Sequence, residues 1–376
     1  MFQIIKTIGV GFSVAVGVFT SGHQTKPSVL TPISKNTVVI ATSTVTSTTK
    51  NTTVNPSTNV NTKKSIPQTS LKNKKSKIVT KKQTVVVKAP EAPPDFVAIN
   101  TFTRKAVVNI LCSTKAGGLS PISGTGVVIS PNGIILTNAH IGEYWLLRDL
   151  YQKNFLECVI RTGSPAYPQY NAELIYISPT WIKENQKLLI ENTPKGTGEN
   201  DFAFLRITSM IDGSALPASF PYLTPNVREN VDKDETVLLA SYPAGFLGGL
   251  SILKGLNVTT AITTVQDIFT FKENTIDIIS VGGTVISQKG SSGGAVVDGQ
   301  STIIGLISTS SNGDQTSTRD LRAITMAHIN RSLQNELGIT FSQFLASDLI
   351  TFAKTFASTT APTLTKLVSD PILNKN

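Results

Sequence analysis

The chain is 376 residues long, 40% apolar and 15% charged, with a formal net charge of +10. This is enough apolar residue for one large domain or two small ones. Two cysteines and three histidines rule out a disulfide-dense mini-scaffold and a cysteine-ligated zinc ribbon, and they argue against any all-protein metal site.

The positive charge is unevenly placed. Residues 1–90 hold 13 of the 34 basic side chains, all Lys, and no Asp or Glu. The remaining 286 residues hold 21 basic and 24 acidic side chains. The part able to fold is therefore mildly acidic, and the basic balance is no sign of a nucleic-acid-binding face.

In chain order, residues 1–22 come first. One Lys precedes an uncharged, mostly apolar run at Thr7–Phe19, and small polar residues follow. This pattern suits a cleaved secretory signal. A retained membrane anchor or a buried N-terminal helix are the other readings. The run is shorter than the roughly 20 residues a bilayer-spanning helix needs. Residues 23–95 read as a disordered linker: positions 24–90 contain 23 Ser or Thr, 12 Lys and no Gly, Asp, Glu or aromatic residue. Too little apolar surface is present to offset the ordering entropy. The linker is either a solvated tether or a cationic segment adhering to an anionic envelope polymer.

From Phe96 to Gly338 the chain reads as about a dozen short β-type runs separated by Gly, Pro and Asn. The expected strands are Ala106–Cys112, Gly126–Ser130, Ile134–Thr137, Phe155–Arg161, Glu173–Ser178, Ala203–Ile207, Thr236–Ala240, Thr259–Val265, Thr275–Val281, Ala295–Val297, Ile303–Ser308 and Ala323–Met326. The fold class is all-β, a barrel or sandwich. Thr208–Asn230 is poor in strand signals and would join two β-lobes. Short helices are expected at Tyr144–Gln152 and Ala327–Leu337. Phe341, Phe344, Leu345, Leu349, Phe352 and Phe356 then recur near helical spacing. That apolar face would either dock on the barrel or bind a membrane or partner. The last fifteen or so residues read as loosely ordered.

Three segments carry chemistry. Thr137-Asn138-Ala139-His140 ends a strand in a histidine. Asn200-Asp201-Phe202-Ala203-Phe204-Leu205-Arg206-Ile207 places an aspartate at the head of an alternating strand. Gly290-Ser291-Ser292-Gly293-Gly294 is a glycine-rich turn entering a strand. A serine hydroxyl is a poor nucleophile at neutral pH and needs an adjacent base, itself oriented by an acid.

Together these segments resemble the trypsin-like serine proteases with the chymotrypsin double β-barrel. They share the chain order His, Asp, Ser, with separations of 61 and 91 residues. The resemblance implies a double barrel over residues 96–340, with a helical extension and tail over 341–376. It implies His140, Asp201 and Ser292 as the catalytic triad, and the amides of Gly290 and Ser292 as the oxyanion hole. It places Ile286 at the base of the primary pocket, where an apolar residue would favour small or medium apolar side chains over Lys or Arg. It gives Ser308 and Ser310 backbone groups for an extended substrate. No cofactor is implied, and the partner is a protein or peptide substrate.

The activation route of animal zymogens is not expected, because Ser291 stands where those enzymes place an Asp. Within the family the chain resembles bacterial HtrA/Deg-type enzymes, on Leu321–Asn330 in particular. Only 38 residues follow Gly338, too few for the PDZ domain those proteins carry. A pseudoprotease that holds peptides is the alternative function. Export would favour a Cys112–Cys158 disulfide over two separately buried thiols. The expected site of action is outside the cytoplasm, secreted or tethered at the envelope. Oligomeric state is not indicated.

Overall fold

In a computed structural model of the chain, the described residues are 93–374, without 116–118, 192–195, 272–273 and 312–313. The expected signal or anchor and nearly all of the linker lie outside them.

Six strands form a closed barrel: β1 (Val107–Thr114), β2 (Ile122–Val128), β3 (Ile134–Thr137), β4 (Leu156–Thr162), β5 (Tyr167–Ile177) and β6 (Ala203–Met210). Their order is β1-β2-β3-β6-β5-β4. All neighbouring pairs are antiparallel. Strand β3 is buried along its whole length. Its Ile135 and Leu136 lie opposite Leu205 and Phe204 of β6, and this apolar pairing fixes the register.

The second lobe is an open sheet. Its strands are β7 (Thr224–Pro225), β8 (Thr236–Ser241), β9 (Thr259–Thr264), β10 (Asp267–Phe269), β11 (Ile278–Gly282), β12 (Ala295–Val297), β13 (Thr302–Ser310) and β14 (Leu321–Thr325). The main path runs β10-β11-β14-β13-β12-β8-β9, with β7 parallel to β13. The sheet bends back toward itself: Gln266 N donates to Ser280 O at 2.8 Å and Thr263 Oγ1 to Val281 O at 3.2 Å. Val237, Leu239, Ile279, Val281, Val296 and Ile304 fill this second core. The fold is thus a chymotrypsin-like pair of β-lobes, one closed and one nearly so.

Several expectations need adjusting. Helix α1 (Phe96–Ala106) precedes the first strand and was not anticipated. Asp95 caps it by accepting from Val97 N and Ala98 N, and Arg104 and Lys105 sit at its negative end. The helix expected at Tyr144–Gln152 starts earlier, as α2 (Ala139–Leu146), because Asn138 ends β3 and opens the helix directly. Helices α3 (Pro179–Asn185) and α4 (Gly249–Lys254) lie in connections.

After the second lobe come α5 (Met326–Leu337), α6 (Phe341–Ala346), α7 (Leu349–Thr359) and α8 (Ala361–Leu373). Gly338 ends α5 in a left-handed conformation, and Thr340 with Gln343 forms a capping box on α6. The periodic aromatic face docks on the first barrel. Phe344 is fully buried, with its ring 4.6 Å from Phe204 and 6.2 Å from Tyr176. Ala361–Leu373 is not loose: Leu364, Val368 and Ile372 recur at four-residue spacing and are buried as one face of α8.

Candidate active site

The antiparallel pairing of β3 with β6 sets Thr137 opposite Ala203. The residues just beyond the end of β3 therefore meet those just before the start of β6. His140 is the second residue of α2, and Asp201 lies two residues before β6. The turn into Asp201 uses left-handed backbone at Gly198 and Asn200, and Asn138 Nδ2 donates to Asp201 O at 2.9 Å.

Asp201 is almost wholly buried, and both carboxylate oxygens are used. Oδ1 accepts from His140 N at 3.0 Å. Oδ2 lies 2.9 Å from His140 Nδ1 and accepts from Ser308 Oγ at 2.7 Å. Burial pushes the Asp201 carboxyl up, but the facing His140 ring and the hydrogen bonds from His140 and Ser308 outweigh it and hold the group below its ordinary value. Burial likewise pulls His140 down, and the Asp201 charge and hydrogen bond overcome it, leaving the ring above its ordinary value. A carboxylate at Nδ1 selects the tautomer with the proton there, so Nε2 keeps its lone pair.

Ser292 sits in the turn before β12. Thr125 N donates to Ser292 O at 2.8 Å, tying this turn to β2 of the first barrel. Gly290 and Gly293 adopt φ of +92° and +82°. A Cβ at Gly293 would stand 1.9 Å from Thr125 O, so no side chain fits there. The Ser292 hydroxyl donates to Ser308 O at 3.3 Å. No Ser292–His140 hydrogen bond occurs among the described residues. Ser308 thus touches both halves of the site, holding Asp201 through its side chain and Ser292 through its carbonyl. Among the described residues, neither the Gly290 nor the Ser292 amide donates to a protein acceptor.

The remaining residues singled out in the sequence fall in three places. Ile286 is fully enclosed in the second core, and its carbonyl accepts from Ser291 Oγ at 2.5 Å. Ser291, where zymogen-type enzymes carry Asp, is buried and also accepts from Ser241 Oγ at 3.0 Å. Ser310 is exposed at the end of β13, two residues beyond Ser308. Cys112 and Cys158 are opposite each other in β1 and β4, 4.0 Å apart at Cα, and are joined by a disulfide.

Two features escaped the sequence reading. The Ser308 hydroxyl serves Asp201, although the family resemblance marks only its backbone. Glu143 lies one turn after His140, is buried, and its Oε2 has no hydrogen-bond partner among the described residues. Burial first, and then the Asp201 charge, push its carboxyl well above the ordinary range.

Comparison with known proteins adds the following. The sequence pattern of the trypsin-like peptidase domain matches residues 124–306. No curated protein matches the chain. Among solved structures, the active form of the Rv3671c protease from M. tuberculosis is 18% identical with a TM-score of 0.39, over 67% of this chain and 90% of that one. A serine endoprotease from Yersinia pestis is 19% identical with a TM-score of 0.41, over 66% of this chain and 68% of that one. Deg5 is 16% identical with a TM-score of 0.41, over 63% of this chain and 90% of that one. The matched segment contains His140, Asp201 and Ser292, and spans most of both β-lobes. Residues 124–306 of this chain accordingly match the trypsin-like peptidase domain, and the enzyme class this match supports is that of the serine endopeptidases.

Proposed function

We propose that the chain hydrolyses peptide bonds through an acyl-enzyme, with Ser292 as nucleophile, His140 as general base and then acid, and Asp201 as the group that orients and stabilises the His140 ring. In this reading His140 Nε2 takes the Ser292 hydroxyl proton as Oγ attacks the scissile carbonyl, then delivers it to the leaving amine. Water repeats the sequence on the ester. The Gly290 and Ser292 amides receive the oxyanion. The observation that carries the proposal is the connected array Asp201–His140 and Asp201–Ser308–Ser292, flanked by two amides free to donate. In this reading the Ser292 hydroxyl leaves Ser308 O for His140 when substrate binds, and catalytic hydrogen bonds often tighten only then.

The proposed P1 preference is for small or medium apolar side chains, since a cation beside a core of the Ile286 type would lose hydration without a counter-charge. The proposed site of action is outside the cytoplasm. The charged-then-apolar start at residues 1–22 supports this. So does the Cys112–Cys158 bond, of a kind that persists in oxidising compartments.

The test is labelling of the full chain with a fluorophosphonate probe beside Ser292→Ala. Labelling of the wild type and none of the variant supports an activated nucleophile. The Ser292–Ser308 hydrogen bond favours a second reading, a peptide-holding pseudoprotease. A folded wild-type chain that takes no label, yet binds peptides, would put that reading first.

A further inference from the structure

Arg161 is the largest side chain that is fully buried, and it has no carboxylate partner among the described residues. Burying a guanidinium is costly unless its hydrogens are used. Here the four terminal hydrogens go to neutral oxygens only, and Nε has no partner among the described residues. Nη1 donates to Asn109 Oδ1 at 3.1 Å and Ile252 O at 2.9 Å. Nη2 donates to Ala166 O at 2.7 Å and Leu253 O at 2.8 Å. The Ile252 and Leu253 carbonyls belong to the last turn of α4, its electronegative end. Arg161 and Asn109 are cross-strand partners of β4 and β1. A buried cation of the first barrel therefore grips a surface connection of the second lobe.

The two arms of this grip lead to Gly290 from both sides, one to the Gly290–Ser291 peptide and one to the Lys289–Gly290 peptide. Through Asn109, the path runs by Asn109 Nδ2 to Gly124 O at 2.7 Å, and the next residue, Thr125, donates its hydroxyl to Gly290 O at 2.7 Å. Through α4, the path follows the connection back to Ala244, whose N–H donates to Lys289 O at 2.7 Å. Lys289 O and the Gly290 N–H belong to one planar trans peptide and point to opposite sides. Holding Lys289 O on Ala244 therefore turns the Gly290 N–H the other way, free to donate. Rotating this peptide would break the Ala244 bond and remove one oxyanion donor.

Resting on the reading of the Gly290 amide given above, we infer that Arg161 is a positioning residue for the oxyanion hole. By clamping α4 and Asn109 it fixes the Lys289–Gly290 peptide in the orientation that the reaction needs. It touches neither the triad nor substrate.

The test uses the full chain and its Arg161→Lys and Arg161→Met variants. Only three Lys–Gly peptides occur in the sequence, at 195–196, 254–255 and 289–290. Carbonyl-13C lysine with 15N-glycine therefore reports on the α4 end, the Gly290 amide and one control. In a folded variant, the 254–255 and 289–290 signals should move and the 195–196 signal stay. With p-nitrophenyl acetate, kcat should fall roughly 10- to 100-fold, up to the lower end of the loss for removing an oxyanion donor outright, with KM changed less than about twofold. Arg161→Lys should lose less than Arg161→Met. A 289–290 signal that stays put while 254–255 moves overturns the inference. So does an unchanged kcat, or failure of both variants to fold, which would make Arg161 a stability residue only. If the wild type neither labels nor hydrolyses the ester but the 289–290 signal still moves, the positioning stands and the catalytic reading fails.

Discussion

Ser308 donates its hydroxyl to Asp201 Oδ2 at 2.7 Å, the oxygen that also faces His140 Nδ1. The carboxylate is buried, so each donor to it counts for more than a surface bond would. Ser308→Ala removes one charge-assisted hydrogen bond, of a kind worth about 1.5–3 kcal/mol. The expected result is a stability loss in that range by urea unfolding at pH 7, with kcat reduced about tenfold or less. A variant as stable as the wild type would show that the bond adds nothing.

The His140 ring lies above its ordinary value of 6.5 because of Asp201. A general base must be neutral, so kcat/KM should rise with pH through a midpoint above 6.5. Asp201→Asn removes the charge and should move that midpoint down, while lowering kcat by about 10⁴, as loss of the charged partner does in such triads. Stability moves the opposite way with pH. The His140–Asp201 attraction is fully present below pH 6.5 and is lost as pH rises through the raised value. At the acid end, Asp201 contributes above its ordinary 3.8 and the contribution is lost as pH falls through its lowered value. A pH–rate profile of both proteins checks the shift.

Glu143 is an acid whose folded value lies well above its ordinary 4.5. Ionisation is therefore disfavoured in the fold, and the group costs stability increasingly as pH rises above 4.5. Glu143→Gln removes that cost. Its melting temperature relative to wild type should be near zero or slightly lower at pH 4 and rise toward pH 8. The conversion is roughly 2–4 °C per kcal/mol for a domain of this size. A pH-independent difference would show that Glu143 does not titrate in the fold.

The ring of Phe344 lies between Phe204 of the barrel and Tyr176, in contact with Phe352 of α7 at 5.4 Å. Phe344→Ala should cost about 3–5 kcal/mol, because both the transfer energy and the packing of the extension are lost. Fluorophosphonate labelling of the surviving folded fraction should be little changed, since α6 lies outside the array at Ser292. Calorimetry with labelling separates the two effects.

Local signals in the sequence went far. Apolar alternation and Gly, Pro and Asn punctuation located most strands, and His140, Asp201 and Ser292 could each be found from their own neighbours. Shorter or less patterned elements were harder. β10 has three residues, all exposed, and leaves no alternation to read. In α1 the buried Thr103 interrupts the apolar face, although Asp95 and the paired Arg104 and Lys105 mark its two ends. In α8, Pro, Thr and Asp masked the spacing of Leu364, Val368 and Ile372.

The sequence by itself determined most of the strand inventory, the identities of the three chemical segments and their order, because these depend on side-chain periodicity and on residues close along the chain. Only the tertiary structure decided that Ser308 serves Asp201 across 107 residues, and that Arg161 is buried among oxygens as far as 92 residues away. Arg161 stands in an apolar strand beside Ile160, and nothing nearby in the sequence announces its acceptors. Three of the four acceptors are backbone carbonyls, which every residue carries, so no residue type marks them. Their convergence arises only when the two β-lobes pack together.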